Sequence, residues 1–143
     1  VAAAISILPS GKALKAGVTA KRAISLLGRR GNHVVYLLVK DGSPVYVGIT
    51  DDLKATLIRH RGVGPLKRLA KDFDNYVVIA SGLSENKAKA IETWMIERFA
   101  PRFTPGGLLG YNQRRSINPV NQPDLYAQAH RYASLWAKIV GLA

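Results

Sequence analysis

Three observations predict an α+β fold, a small three-stranded antiparallel sheet flanked by helices. Two β-branched and aromatic runs, Val34-Val35-Tyr36-Leu37-Leu38-Val39-Lys40 and Val45-Tyr46-Val47-Gly48-Ile49, flank Asp41-Gly42-Ser43-Pro44, the composition of a hairpin. A third run, Tyr76-Val77-Val78-Ile79-Ala80, reads as another strand. Segments of helical periodicity separate the second strand from the third and follow the third, which favours a sheet covered by helices.

The elements follow in order. Residues 1–31 hold six basic residues, no acids and many alanines, and Ala13, Ala16, Ala20, Ile24 and Leu27 recur at helical spacing. A helix from about Lys12 to Leu27 is expected, stopped by Gly28 and Gly31, as a linker or docking helix of a larger parent or as a peripheral helix. The domain proper is expected to span 32–143. After the hairpin, Thr50 or Asp51 suits the cap of a helix that ends in Arg59-His60-Arg61 and stops at Gly62 and Gly64. Pro65 suits the first turn of a short basic helix, Leu66 to Asp72. Ser84 opens a long helix to about Phe99, closed by Pro101. A Pro-Gly-Gly loop leads to Gly110-Tyr111-Asn112. A last helix, about Pro123 to Val140, carries Leu125, Ala129, Tyr132, Trp136 and Val140 on one stripe.

Composition limits the functional classes. The chain of 143 residues suits one domain with a modest core, and its net charge of +12 favours a polyanionic partner, nucleic acid first. The absence of cysteine excludes disulfides, thiol catalysis and cysteine-ligated zinc. No apolar run approaches the roughly 20 residues of a membrane span, so stable membrane insertion is not expected. A start at Val1 rather than Met suggests a piece of a longer protein.

Three glutamates exist, at 85, 92 and 97. On the 84–99 helix Ala88, Ile91, Met95, Ile96 and Phe99 form the apolar stripe, and Glu92 projects within it, with Glu97 roughly opposite. A carboxylate on a core-facing surface is costly unless paired or metal-bound, which singles out Glu92. Tyr36 and Tyr46 sit on neighbouring strands, where converging hydroxyls polarise a water or bind a phosphate; paired strand tyrosines also serve as plain core residues. Thr56 and His60 stand four apart on one helix flank, and His60 suits proton exchange near neutral pH, phosphate contact or a helix C-terminus.

Together these positions resemble the GIY-YIG nuclease superfamily over about residues 33–115. Val34-Val35-Tyr36 takes the place of the first motif and Tyr46-Val47-Gly48 that of the second. The helix bearing His60, then Ile91-Glu92-Thr93, then Gly110-Tyr111-Asn112 follow in matching order. The resemblance implies hydrolysis of a DNA phosphodiester with one Mg²⁺ or Mn²⁺ ion held by Glu92. It implies that Tyr36 and Tyr46 orient or deprotonate the attacking water with help from His60, and that Asn112 holds the site or the scissile phosphate. Lys54, Arg59, Arg61, Lys67, Arg68, Arg114 and Arg115 would grip the nucleic-acid backbone. Two positions depart from the pattern. Val34 replaces the first motif's glycine, and Thr56 stands where the family places its essential arginine. Loss of such an electrostatic donor costs about 100-fold or more in rate. Either Arg59 reaches in from the next turn, or Thr56 is a substitution that silences a toxic nuclease.

A basic segment ahead of such a domain resembles the C-terminal toxin of a bacterial polymorphic toxin, of the contact-dependent growth inhibition or type VI effector kind. That resemblance implies secretion or cell-surface delivery, action in the target-cell cytoplasm, and an acidic immunity protein covering the site. The alternatives are a catalytically inert nucleic-acid-binding module and an RNase toxin on the same scaffold.

Overall fold

The computed structural model describes residues 26–143, apart from the side chains at positions 66, 68 and 69. Most of the helix expected over Lys12–Leu27, and the Arg68 side chain, lie outside the described residues. The end of the 1–31 segment that is described packs into the domain. Leu27 is buried in the core and its carbonyl accepts from Ser84 Oγ, while Lys87 Nζ donates to the Arg29 carbonyl at 2.8 Å.

The fold is α+β, as the periodicities require. The strands β1 (His33–Lys40), β2 (Ser43–Thr50) and β3 (Asn75–Leu83) form one antiparallel sheet in the order β2-β1-β3. The hairpin turn is the pair Asp41-Gly42, at φ 51° and 80°. Positive φ at both positions matches the twist of a tight hairpin, which explains strands that run further into the Ser43-Pro44 stretch than their composition suggests. Pro44 is tolerated because β2 is an edge strand, and the register slips beside it, between Leu38 and Val39.

The helix α1 (Leu53–Arg61) is capped by Asp52, whose carboxylate accepts from the Ala55 amide at 3.1 Å. Thr50 and Asp51, the expected caps, do not fill this role: the Thr50 hydroxyl accepts the Asp52 amide at 2.9 Å and so ends β2. Gly62, at φ 68°, closes α1 with its amide on the carbonyls of Ile58 and Arg59. The short helix expected over Leu66–Asp72 is instead a 3-10 turn at Gly64–Leu69. The chain beyond it is drawn out by two backbone bonds, Lys71 N–H to the His60 carbonyl (2.8 Å) and Asp74 N–H to the Val39 carbonyl (2.9 Å). Those bonds take the residues that a last helical turn needs.

The helices α2 (Glu85–Phe99) and α3 (Pro123–Val140) lie where their periodicity predicts. Ser84 caps α2 by accepting the Lys87 amide at 3.1 Å. Strand alternation sorts the sheet into two faces. Val35, Leu37, Val47 and Ile79 join Ile91, Met95, Ile96, Ala133 and Trp136 in the main core beneath α2 and α3. Tyr36 and Leu38 point the other way and pack with Leu57 of α1, with Tyr46, Phe73 and Val78 at the margin.

The register places Tyr36 opposite Gly48, and Tyr46, two residues earlier on β2, diagonal to it on the same face. A Cβ at position 48 would lie 2.6 Å from Tyr36 Cζ and 2.7 Å from Tyr46 Cε2, so both rings occupy space that only glycine leaves open. Gly48→Ala is therefore expected to lose about 1–3 kcal/mol, as overpacked sites do. Urea denaturation monitored by circular dichroism measures it, and an unchanged midpoint would contradict the close packing.

Candidate functional site

Tyr36, Tyr46 and His60 converge on the α1 face of the sheet. The Tyr36 hydroxyl shares a 2.7 Å hydrogen bond with His60 Nε2 across 24 residues of chain. Ring centroids lie 6.2 Å apart for Tyr36–Tyr46, 5.9 Å for Tyr36–His60 and 5.1 Å for Tyr46–His60. Tyr36 and His60 are buried and Tyr46 is half-buried. Helical spacing explains how α1 contributes: Thr56, Leu57 and His60 form its inward flank, whereas Lys54, Ile58, Arg59 and Arg61 are exposed.

Glu92 lies within the apolar stripe of α2 and is only 7% exposed, and its Oε1 accepts from Ser116 Oγ. Desolvation pushes its pKa up to about 7, against a smaller opposing effect of Lys89. The Glu92 charge reaches the tyrosine pair and raises the pKa of both hydroxyls, adding to the larger effect of their own burial. Arg59 acts in the opposite sense on both, so its exposed side chain lies within electrostatic range of the same pair. Both hydroxyls thus stay protonated at neutral pH and act as hydrogen-bond donors.

His60 differs from its expected behaviour. Burial first, then the charges of Lys71 and Arg59, lower its pKa to about 4, so the ring is neutral and does not exchange protons near pH 7. Lys71, expected within the basic helix over Leu66–Asp72 and not as part of the site, donates from Nζ to His60 Nδ1 at 3.2 Å and lies 4.8 Å from the centroid of the Tyr46 ring. It sits instead in the extended link between the 3-10 turn and β3.

Thr56 is only 4% exposed and its hydroxyl bonds that of Thr50 at 2.7 Å, tying the end of β2 to α1. Asn112 holds the site through the backbone: its Oδ1 accepts the Val47 amide and its Nδ2 donates to the Val47 carbonyl, both at 2.9 Å. The amide thus copies a neighbouring strand on the free edge of β2, one residue from Tyr46 and one from Gly48, and is not directed at a phosphate. Of the expected backbone-gripping cations, Lys54, Arg59, Arg61, Lys67 and Arg114 are exposed. Arg115 is not free for this role. It pairs with Glu97 at 2.8 Å, and Glu97 also accepts from Tyr126 of α3. Glu97 therefore faces α3 and not open solvent, because α3 covers the flank that α2 alone leaves exposed.

Among the described residues no group of three or more histidines or carboxylates converges, and Glu92 is the carboxylate whose charge reaches both tyrosines. Mg²⁺ is commonly held by one or two carboxylates with water and phosphate oxygens, so Glu92 alone would supply a single protein ligand. No helix among the described residues is long and apolar enough to cross a membrane. Comparison with family models, with curated proteins and with solved structures finds no match for this chain.

The two shifted groups have opposite linkage to stability. The raised pKa of Glu92 favours the folded state at low pH, and that contribution is lost as pH rises from about 4.5 to about 7. The lowered pKa of His60 gives stability above about 6.5 that is lost as pH falls towards about 4. The two slopes offset one another between those limits, so a variant is needed to separate them. Glu92→Gln is expected to match the parent near pH 4.5 and to exceed it by up to about 3 kcal/mol at pH 8. Urea titrations at the two pH values check this, and a pH-independent difference would contradict a buried, titrating carboxylate.

Proposed function

We propose that this chain is a metal-dependent phosphodiester hydrolase of GIY-YIG type, a DNA endonuclease that acts as an antibacterial toxin. The observation that carries the reading is the convergence of Tyr36, Tyr46 and His60, from two strands and a helix, within electrostatic range of buried Glu92. An apolar core has no need of a buried carboxylate whose charge reaches paired tyrosines, whereas phosphodiester hydrolysis uses both kinds of group. Exposed Lys54, Arg59, Arg61, Lys67 and Arg114, with a net charge of +12, suit a polyanionic backbone and an acidic immunity protein that blocks it.

In this reading a water oxygen bonds to phosphorus as the bond to the leaving oxygen breaks. The water gives up one proton and the leaving oxygen takes one. Protonated Tyr46 orients water or phosphate by donating a hydrogen bond, with buried Tyr36 linking it to His60, a narrower role than deprotonating the water. Glu92 would hold one Mg²⁺ or Mn²⁺ ion, which supplies charge neutralisation at the phosphate. Asn112 keeps β2, and so Tyr46 and Gly48, in register. Arg59 is the cation whose charge already reaches the tyrosines.

A second reading, a nucleic-acid-binding module without catalysis, is favoured by one observation. Thr56 is buried and its hydroxyl is satisfied by Thr50, leaving no guanidinium at that position. Plasmid DNA and total RNA incubated with the chain, in Mg²⁺ or EDTA, separate the readings. The hydrolase reading expects Mg²⁺-dependent nicking of DNA that Glu92→Ala abolishes; binding without nicking supports the inert module, and cleavage confined to RNA supports an RNase toxin. Thr56→Arg is expected to raise DNA nicking about 100-fold. No increase would show that position 56 does not limit the reaction.

A further inference from the structure

Lys71 is held beside the site from several directions. Its backbone amide donates to the His60 carbonyl at 2.8 Å. The left-handed Gly62 allows this return, and a Cβ there would lie 2.9 Å from Ala70 Cα, so the two segments are in close contact. The next residue, Asp72, donates its amide to the Tyr111 hydroxyl at 2.9 Å. The Lys71 ammonium lies 4.8 Å from the Tyr46 ring centroid and 5.9 Å from that of Tyr111, and 3.2 Å from His60 Nδ1. Burial, and then the charge of Arg59, lower its pKa, while the aromatic faces favour its charged form.

This arrangement fixes the direction of the hydrogen bonds. An ammonium only donates, so His60 Nδ1 must present its lone pair to Lys71. The ring is neutral, so its one hydrogen is on Nε2 and points at the Tyr36 oxygen 2.7 Å away. Tyr36 then accepts from His60, which leaves its own hydrogen to turn towards the hydroxyl of Tyr46, the neighbouring phenol on this face. Tyr46, the less buried of the two, is left with a free hydroxyl hydrogen at the solvent end. Without Lys71 the better arrangement is reversed. An imidazole nitrogen is a stronger acceptor than a phenol oxygen, so Tyr36 would donate to Nε2 and the ring hydrogen would move to Nδ1.

We propose that Lys71 is a positioning residue that sets the tautomer of His60 and thereby aligns the His60–Tyr36–Tyr46 hydroxyl chain with its donor end at Tyr46. Its value to catalysis rests on the hydrolase reading above; its effect on His60 does not.

Long-range ¹H–¹⁵N spectra of the imidazoles at pH 7 test the first part without any assay of activity. The unaltered chain is expected to show His60 with a protonated Nε2 and an unprotonated Nδ1. Lys71→Met, which keeps an aliphatic side chain over the Tyr46 ring, should move the hydrogen to Nδ1, and Lys71→Arg should retain the original tautomer. A protonated Nδ1 in the unaltered chain overturns the proposal without recourse to a variant, as does an unchanged tautomer in folded Lys71→Met. In Mg²⁺-dependent nicking, Lys71→Met should lower kcat about 100-fold with KM within about twofold, and Lys71→Arg should recover most of it. A raised KM at unchanged kcat would make Lys71 a backbone-binding cation and overturn the aligning role. Absence of nicking by every preparation defeats the hydrolase reading, while the ring-nitrogen spectra still decide what Lys71 does.

Discussion

The site depends on one contact across the hairpin, the Tyr36 ring lying over Gly48. The Asp41-Gly42 turn sets the register that pairs these residues, and a side period of two then puts Tyr46 on the same face. A one-residue slip of β2 against β1 would send Tyr46 into the main core and bring Val47 to the α1 face. Packing on the other face resists that slip, because Val35, Leu37 and Val47 are fully enclosed beneath α2 and α3. The apolar core therefore holds the polar site in register from the opposite side of the sheet.

Around that contact, several groups serve by holding others. Asn112 pairs with the Val47 backbone along the open edge of β2, where a strand would otherwise present free amide and carbonyl groups. The Thr50–Thr56 hydroxyl pair joins the end of β2 to α1, and so sets the depth at which His60 meets Tyr36. Burial then decides the chemistry: it keeps the tyrosines protonated, His60 neutral, and Glu92 poised near neutrality. The charges of Lys71 and Arg59 work with burial at His60, and that of Arg59 works against burial at the tyrosines.

Much of this was legible in the residue pattern. The Asp-Gly turn between two aromatic strands, the stripe of α2 with Glu92 inside it, and the whole extent of α3 needed only local periodicity. The cap of α1 and the segment after it did not. Asp52 won over Thr50 and Asp51 because Thr50 is bound to Thr56, and the expected basic helix gave way to a 3-10 turn because Lys71 and Asp74 bond back to α1 and β1. Arg115 read as a surface cation because nothing near it in sequence shows Glu97, 18 residues away, as its partner.

What the sequence alone determined was the order and type of the elements, the faces their apolar residues share, and the places of Tyr36, Tyr46, His60 and Glu92 on those elements. These follow from turn chemistry and from periods of 2 and 3.6, which act within a few residues. Tertiary structure decided what those residues do. Protonation states, the direction of the His60–Tyr36 hydrogen bond, the backbone role of Asn112 and the arrival of Lys71 all depend on desolvation and on contacts between segments 11 to 65 residues apart, such as Lys71 with His60 and Asn112 with Val47. Distance in the chain carries no local signal, so these roles become visible only when the chain has folded.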